Sequence, residues 1–155
     1  WGGICAENMV ALNIDEDHKT AKNIKLRKAF TLSIADIDHL KEADFFGIAS
    51  ANTMADKFER SHMHAQKSTL VDAPIITEFP LTLECKVKEC QNTAYGFRVL
   101  GEIVNVLAEE SVLDEWGRVD PTKLNAFVFD QFQNGYYAIG EKIGQAWKSG
   151  AELMK

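Results

Sequence analysis

The sequence predicts an α+β protein, mainly β: an antiparallel β-barrel or sandwich with helices inserted between its strands and one helix at the C-terminal end. Three observations predict it. Leu81-Thr82-Leu83-Glu84-Cys85-Lys86-Val87-Lys88 alternates apolar and polar side chains over eight positions, the period of a strand with one face on a core and the other in water. A second long run, Tyr95 to Val106, follows after Asn92-Thr93, and two long strands so closely joined pair antiparallel. Helical spacing is confined to short stretches between strands, with no repeating strand–helix–strand rhythm. A doubly wound nucleotide-binding sheet is therefore disfavoured.

Taken in order, Ile4-Cys5-Ala6 and Met9 to Ile14 flank Glu7-Asn8, a pair suited to a tight turn, and read as a hairpin. Thr20 to Lys28 fits a short helix with Ala21, Ile24 and Lys28 along one side. Phe30-Thr31-Leu32-Ser33-Ile34 alternates again, as a half-buried strand does. Asp36 can cap a second helix, whose Ile37, Leu40, Ala43 and Phe46 recur at helical spacing until Gly47 stops it. On the Tyr95–Val106 run, Phe97, Val99, Gly101 and Ile103 share one face, and Gly101 is expected to mark a bend or bulge. Trp116-Gly117 and Asn134-Gly135 read as turns and Ala126 to Phe129 as a short strand. After Gly140, the residues Ile143, Trp147, Ala151 and Met154 keep to one side of a final helix.

A chain of 155 residues, 46% of them hydrophobic, can bury one substantial core, so residues 1–155 are expected to form a single domain. Its 17 Lys and Arg against 23 Asp and Glu leave a net charge of −6. That balance argues against nucleic-acid and acidic-membrane partners and requires any phosphate to be held by a local basic cluster. Cys5, Cys85 and Cys90 contain no CxxC pair, and two of them lie in strand-like runs. They read as small buried hydrophobes of a reducing compartment rather than a disulfide scaffold or a zinc site. No apolar run reaches the length of a membrane span and no secretory signal is visible, so a cytoplasmic location is the expectation. The sequence starts at Trp1 and reads as strand from its first residues, which predicts that the natural chain begins upstream.

The segment richest in chemistry is Asp15-Glu16-Asp17-His18-Lys19-Thr20-Ala21, which runs from strand into helix. Unpaired backbone N–H groups, the positive end of a helix dipole and the Lys19 ammonium would meet there, a combination suited to a phosphate. The alternative is that Thr20 caps the helix while His18 and Lys19 are solvated. A second segment, Phe46 to Phe58, places Ser50, Asn52, Thr53 and Lys57 after a helix among small residues, where backbone can come close to a ligand. Its alternative is an ordinary interhelical connection capped by Asn52 or Thr53. No GxGxxG or GxxxxGK[ST] loop occurs, so a phosphate here is not held by the two common glycine-rich loops. His62-Met63-His64 has a chelating spacing but no Cys or carboxylate beside it, Glu109-Glu110 reads as a solvated face, and no nucleophile–base arrangement stands out. Neither a metal nor a catalytic residue is assigned.

Several segments recur together. They are Trp1-Gly2-Gly3-Ile4-Cys5, the strand to Ile14, the His18-Lys19-Thr20 junction with Ile24, Ala43-Asp44-Phe45-Phe46-Gly47-Ile48-Ala49-Ser50, and Asp56-Lys57-Phe58. Val71-Asp72-Ala73-Pro74, Glu78-Phe79-Pro80, Leu83-Glu84-Cys85-Lys86, Gly101-Glu102-Ile103 and Tyr136-Tyr137 with Gly140 follow in order. Across nearly the whole chain this set resembles the flavin reductase-like family, and within it the flavoredoxins. The resemblance implies a split β-barrel, a Greek-key antiparallel barrel that binds FMN, as a homodimer with the flavin near the subunit interface. It implies that Trp1, Gly2 and Gly3, on the strand that continues through Ile4 and Cys5, lie along the isoalloxazine, and that His18, Lys19 and Thr20 hold the phosphate. Ser50, Asn52 and Lys57 would complete the phosphate and ribityl contacts, Phe58 would help to form the apolar slot, and Tyr136 and Tyr137 would approach the ring. Family members carry two further strands ahead of Trp1, and often Arg or Lys where this chain has Asp17 or His18, which predicts weaker phosphate binding here. The implied function is an electron carrier that works with a redox partner protein. The alternatives are an NAD(P)H:flavin oxidoreductase with exchangeable flavin and a flavin-binding module without turnover. No separate nicotinamide domain is visible.

Overall fold

The computed structural model describes residues 1–154. Its strands are β1 (Gly2–Ala6), β2 (Met9–Ile14), β3 (Ala29–Ile34), β4 (Ala65–Lys67), β5 (Pro74–Ile76), β6 (Leu81–Thr93), β7 (Gly96–Ala108), β8 (Phe127–Asp130) and β9 (Gly135–Ala138). The α-helices are α1 (Lys19–Arg27), α2 (Leu40–Ile48), α3 (Lys57–Arg60) and α4 (Pro121–Leu124). The two long strands expected from the sequence are its centre. β6 and β7 pair antiparallel from Leu81↔Ala108 to Thr93↔Gly96. They sit in a five-stranded antiparallel sheet ordered β1-β2-β7-β6-β3, while β4–β5 and β8–β9 form separate two-stranded ribbons.

The helix α1 joins β2 to β3, strands separated in the sheet by β7 and β6. It must therefore cross the sheet, and its apolar stripe explains how. Ala21 and Ile24 are buried against Val10, Phe30, Leu83, Cys85, Phe97 and Val99, the main core. The crossing ends at Lys28, a left-handed C-cap with φ 55° whose N–H bonds to the Ile24 carbonyl. Among the described residues no strand pairing joins β1 to β3, so the sheet stays open. It bends at two bulges, where Val104 of β7 and Lys88 of β6 stand as extra residues between paired neighbours.

Four sequence expectations need correction. Gly101 is not itself the bulge: a Cβ there would stand 2.5 Å from Phe30 Cζ, so its missing side chain makes room for the Phe30 ring. The polar face of β6 is wet only from Lys86 onward, because β4, β5 and the segment between them cover its first half. Thr82 and Glu84 are each only 2% exposed. Thr82 shares a hydrogen bond with the Ser33 hydroxyl at 2.8 Å, while Glu84 accepts from the Ser68 hydroxyl and, at 2.6 Å, from the Asn105 amide. The C-terminal α-helix is absent among the described residues: residues 141–145 carry no regular structure, residues 146–150 form turns, and Ala151–Met154 is a 3₁₀ turn. Ile143 and Trp147 are fully exposed there, and a helical spacing with no surface to pack against supplies little stability of its own. Cys5 is exposed rather than buried, although all three cysteines are free thiols. Among the described residues no helix is long and apolar enough to cross a membrane.

Candidate functional site

The strand-to-helix junction builds one wall of a cleft. His18 takes the N-cap position of α1 with φ −60° and ψ 145°, but its side chain makes no capping bond and lies 3.6 Å from Asp15 Oδ2. The first helical bond runs from Lys22 N–H to the His18 carbonyl. The N–H groups of Lys19, Thr20 and Ala21 thus have no acceptor within the helix, and the dipole's positive end faces outward with them. Thr20 is the second residue of the helix, not its cap, so its hydroxyl remains available to a ligand.

The opposite wall is the end of α2, the loop after it and the first residue of α3, which bring Ser50 and Lys57 to the junction. A cavity of about 240 Å³ is lined by His18, Lys19, Thr20, Asn23, the Phe46–Ala51 segment and Lys57. Lys57 Nζ donates to the Phe46 carbonyl at 2.7 Å and lies 5.5 Å from the Phe46 ring centre. Burial pushes this ammonium below the ordinary lysine range.

The structure gives Asn52 and Phe58 other roles. Asn52 does not line the cleft: its amide donates to the Asp17 carbonyl at 2.8 Å and its oxygen accepts from Lys22 Nζ at 3.3 Å. It ties the two walls together. Phe58 lies stacked on Phe46 at 6.1 Å and supports the wall from behind. Asn23 was missed by sequence reasoning, although its place three residues after Thr20 puts both on one helix face.

Trp1, Gly2, Gly3, Ile4 and Cys5 do not line this cavity either. They form the exposed edge strand of the sheet, with Trp1 71% exposed and anchored by its amino group to the Asn13 carbonyl. Gly2 is required by the close approach of β2, since a Cβ would stand 2.8 Å from the Ala11 carbonyl oxygen. At Gly3 nothing lies within 4 Å of that position, so the backbone is bare there. Trp1 packs on Phe129 of β8 at 5.7 Å, and Phe129 packs on Tyr136 of β9 at 5.5 Å. The Tyr136 hydroxyl donates to Asp44 of α2 at 2.6 Å, and the accepting carboxylate holds the phenol above its ordinary pKa range. The β8–β9 hairpin therefore links the edge strand to the helix whose end lines the cleft.

His64 has the carboxylate partner its sequence neighbours did not offer: its ring lies 2.6 Å from Glu78. Among the described residues no three His, Cys, Asp or Glu side chains gather as a metal site.

A family model for the flavin reductase like domain matches residues 4–132, and the chain belongs to that family. Flavoredoxin of Desulfovibrio vulgaris (Miyazaki F) is similar at 32% identity and a TM-score of 0.90, over 97% of this chain and 81% of that one. Flavoredoxin from Methanosarcina acetivorans is similar at 26% identity and a TM-score of 0.90, over 99% of this chain and 82% of the other. A split barrel domain from Shewanella frigidimarina NCIMB 400 shares the fold at 22% identity and a TM-score of 0.75, over 88% and 69%. The open antiparallel sheet is thus a split β-barrel. No curated protein sequence matches the chain significantly.

Proposed function

We propose that this chain binds FMN and passes electrons through it between redox partners, as an electron carrier of the flavoredoxin type. The observation that carries the reading is the cleft at the start of α1, where Lys19, Thr20, Ser50 and Lys57 converge with uncapped backbone N–H groups. FMN ends in a dianionic phosphate, and each of these groups is a donor or a cation. Ser50 and Asn23 stand where the polar ribityl chain would leave the phosphate. The ring would lie along β1, whose bare Gly3 backbone can meet the polar rim of the isoalloxazine while Trp1 covers part of its face. Tyr136 stands behind Phe129 and acts by holding this wall to α2. Bound FMN would supply one- and two-electron redox chemistry; the protein supplies its seat and the hydrogen bonds that tune it.

We take the working form to be a homodimer in a reducing cytoplasm, in keeping with three free thiols. A second reading is an NAD(P)H:flavin oxidoreductase, in keeping with the flavin reductase like domain that the chain carries. The test is a visible spectrum of the purified protein with added FMN, then anaerobic addition of NADH and NADPH. One FMN per chain, reduced rapidly by dithionite and slowly by either nicotinamide, is the expected result. Failure to take up FMN refutes the flavin site, and rapid nicotinamide oxidation with free FMN as acceptor, on the order of 10 per second, selects the reductase.

A further inference from the structure

The last hydrogen bond that ties the C-terminal segment to the body of the fold runs from the Ile139 N–H to the Ala126 carbonyl. Among the described residues, every hydrogen bond made after Gly140 stays within the segment, and residues 140–154 are exposed throughout. The segment is nevertheless closed on itself. The Gln145 N–H donates to the Ser149 hydroxyl at 2.8 Å, that hydroxyl donates to the Gln145 carbonyl at 3.0 Å, and the Ser149 N–H donates to the same carbonyl at 2.9 Å. A Cβ at Gly144 would stand 2.8 Å from the Ser149 hydroxyl oxygen, so the glycine makes room for the closure. Trp147 sits inside this turn with φ 60°, a backbone state that bulky residues seldom take, and it is 97% exposed.

An indole held in water by a fixed turn has lost conformational freedom without gaining contacts, so the ordering cost of using it as an anchor is met before any partner arrives. Tryptophan is also among the residues that most often dominate an interface. Ile143, Leu153 and Met154 are exposed on the same segment. At its root the chain carries a surface that matches it: Trp1 and Ile4 of β1 are exposed with Val128, Phe129 and Tyr137 of the β8–β9 hairpin, and the segment leaves this patch uncovered in its own chain. Burying an indole removes about 150–250 Å² from water, and with the three aliphatic side chains the segment brings on the order of 500 Å². Two such segments, each counted with the surface it covers, come to about 2,000 Å², the size of a stable protein interface. A two-fold pair meets both needs at once, since each copy supplies one arm and one patch. Trp147 stands seven residues beyond Gly140, at most about 25 Å of chain, enough to cross from one hairpin to its neighbour.

We propose that the C-terminal segment is an exchange arm: Trp147 of each copy docks on the β1 and hairpin patch of a second copy and there closes over the flavin ring. The placement at the ring rests on the flavin reading above; the exchange of arms does not.

The test uses the full chain. Lys148→Cys protein grown with heavy nitrogen is mixed to equilibrium with the same variant grown with natural nitrogen, then treated with a short bis-maleimide that can bridge the introduced thiol to the exposed Cys5. Bridged peptides that join a heavy chain to a light one are the expected product. Bridges found only within one chain, or none, overturn the exchange. In sedimentation, Trp147→Ala should weaken the dimer on the order of thirtyfold and Trp147→Phe should restore most of it, while buried Cys85, closed to a thiol reagent, reports that each variant is folded. An unchanged dimer overturns the proposal, and so does a wild-type monomer, which would leave the patch to a different protein. Trp147→Ala should also loosen FMN about tenfold; an unchanged FMN affinity overturns the placement at the ring. If the wild-type chain takes up no FMN, the flavin reading fails, and the heavy-to-light bridges still decide the exchange.

Discussion

Lys57 carries the sharpest residue-scale test, because it is the cation in the cleft whose charge the fold itself disfavours. Burial lowers its pKa from 10.5, and a bound phosphate dianion would oppose that shift. Lys57→Ala should weaken FMN by roughly ten- to a hundredfold, the worth of a charge-assisted bond of about 1.5–3 kcal/mol, with little effect on riboflavin. Equal losses for both flavins would mean that Lys57 does not touch phosphate. The pH dependence has a definite sign. Because the free protein loses the Lys57 proton below the ordinary value of 10.5, FMN affinity should fall as pH rises through that depressed value. Lys57→Arg should flatten the decline, since guanidinium stays charged; a flat wild-type profile would contradict the assignment. Cys85 offers a second check on burial. Its thiol is pushed up to about 11 by burial and by the neighbouring Glu84 carboxylate, so a thiol reagent at pH 8 should label exposed Cys5 and reach Cys85 only after unfolding. Labelling of both at one rate in native protein would show that the core opens.

At the scale of elements, the meeting of β3 and β7 depends on one missing side chain. A Cβ at Gly101 would collide with the Phe30 ring, so Gly101→Ala should cost about 1–3 kcal/mol by overpacking. Combined with Phe30→Leu, the loss in urea stability should be less than the sum of the two single losses. Additive losses would show that the two residues do not share that space. The same elements mark what was legible in the sequence. β3, β6 and β7 were readable because their side chains alternate over long enough runs for periodicity to speak, and β2 because its apolar run follows a turn pair. β4 and β5, three residues each, carry no such signal, and without them nothing in the alternation of β6 could reveal that Glu84 is covered. The residues that line the cleft were legible where they are local, at His18, Lys19 and Thr20, and again at Ser50 and Lys57. The role of Asn52 was not, because it depends on a bond to Asp17, 35 residues away. The C-terminal spacing misled because helix formation depends on a partner surface.

For the molecule as a whole, the apolar side chains left in solvent are unevenly spread. Trp1 and Ile4 of the edge strand are exposed together with Val128, Phe129, Tyr136 and Tyr137 of the hairpin, which Trp1 touches through Phe129. Contiguous apolar surface calls for a cover, and a second copy of the chain related by a two-fold axis meets that need with the same patch on both sides. The proposed flavin ring would lie against this surface, so dimerisation and flavin retention should be coupled. Sedimentation should give twice the 17.3 kDa of one chain, and the association should persist in high salt, which screens charges but does not weaken apolar burial. Phe129→Lys, which places a charge in the patch and leaves the phosphate seat untouched, should shift the protein toward monomer and loosen FMN by about tenfold. A wild-type monomer that holds FMN tightly would break the coupling, because the ring would then be retained by one chain's β1 and hairpin alone.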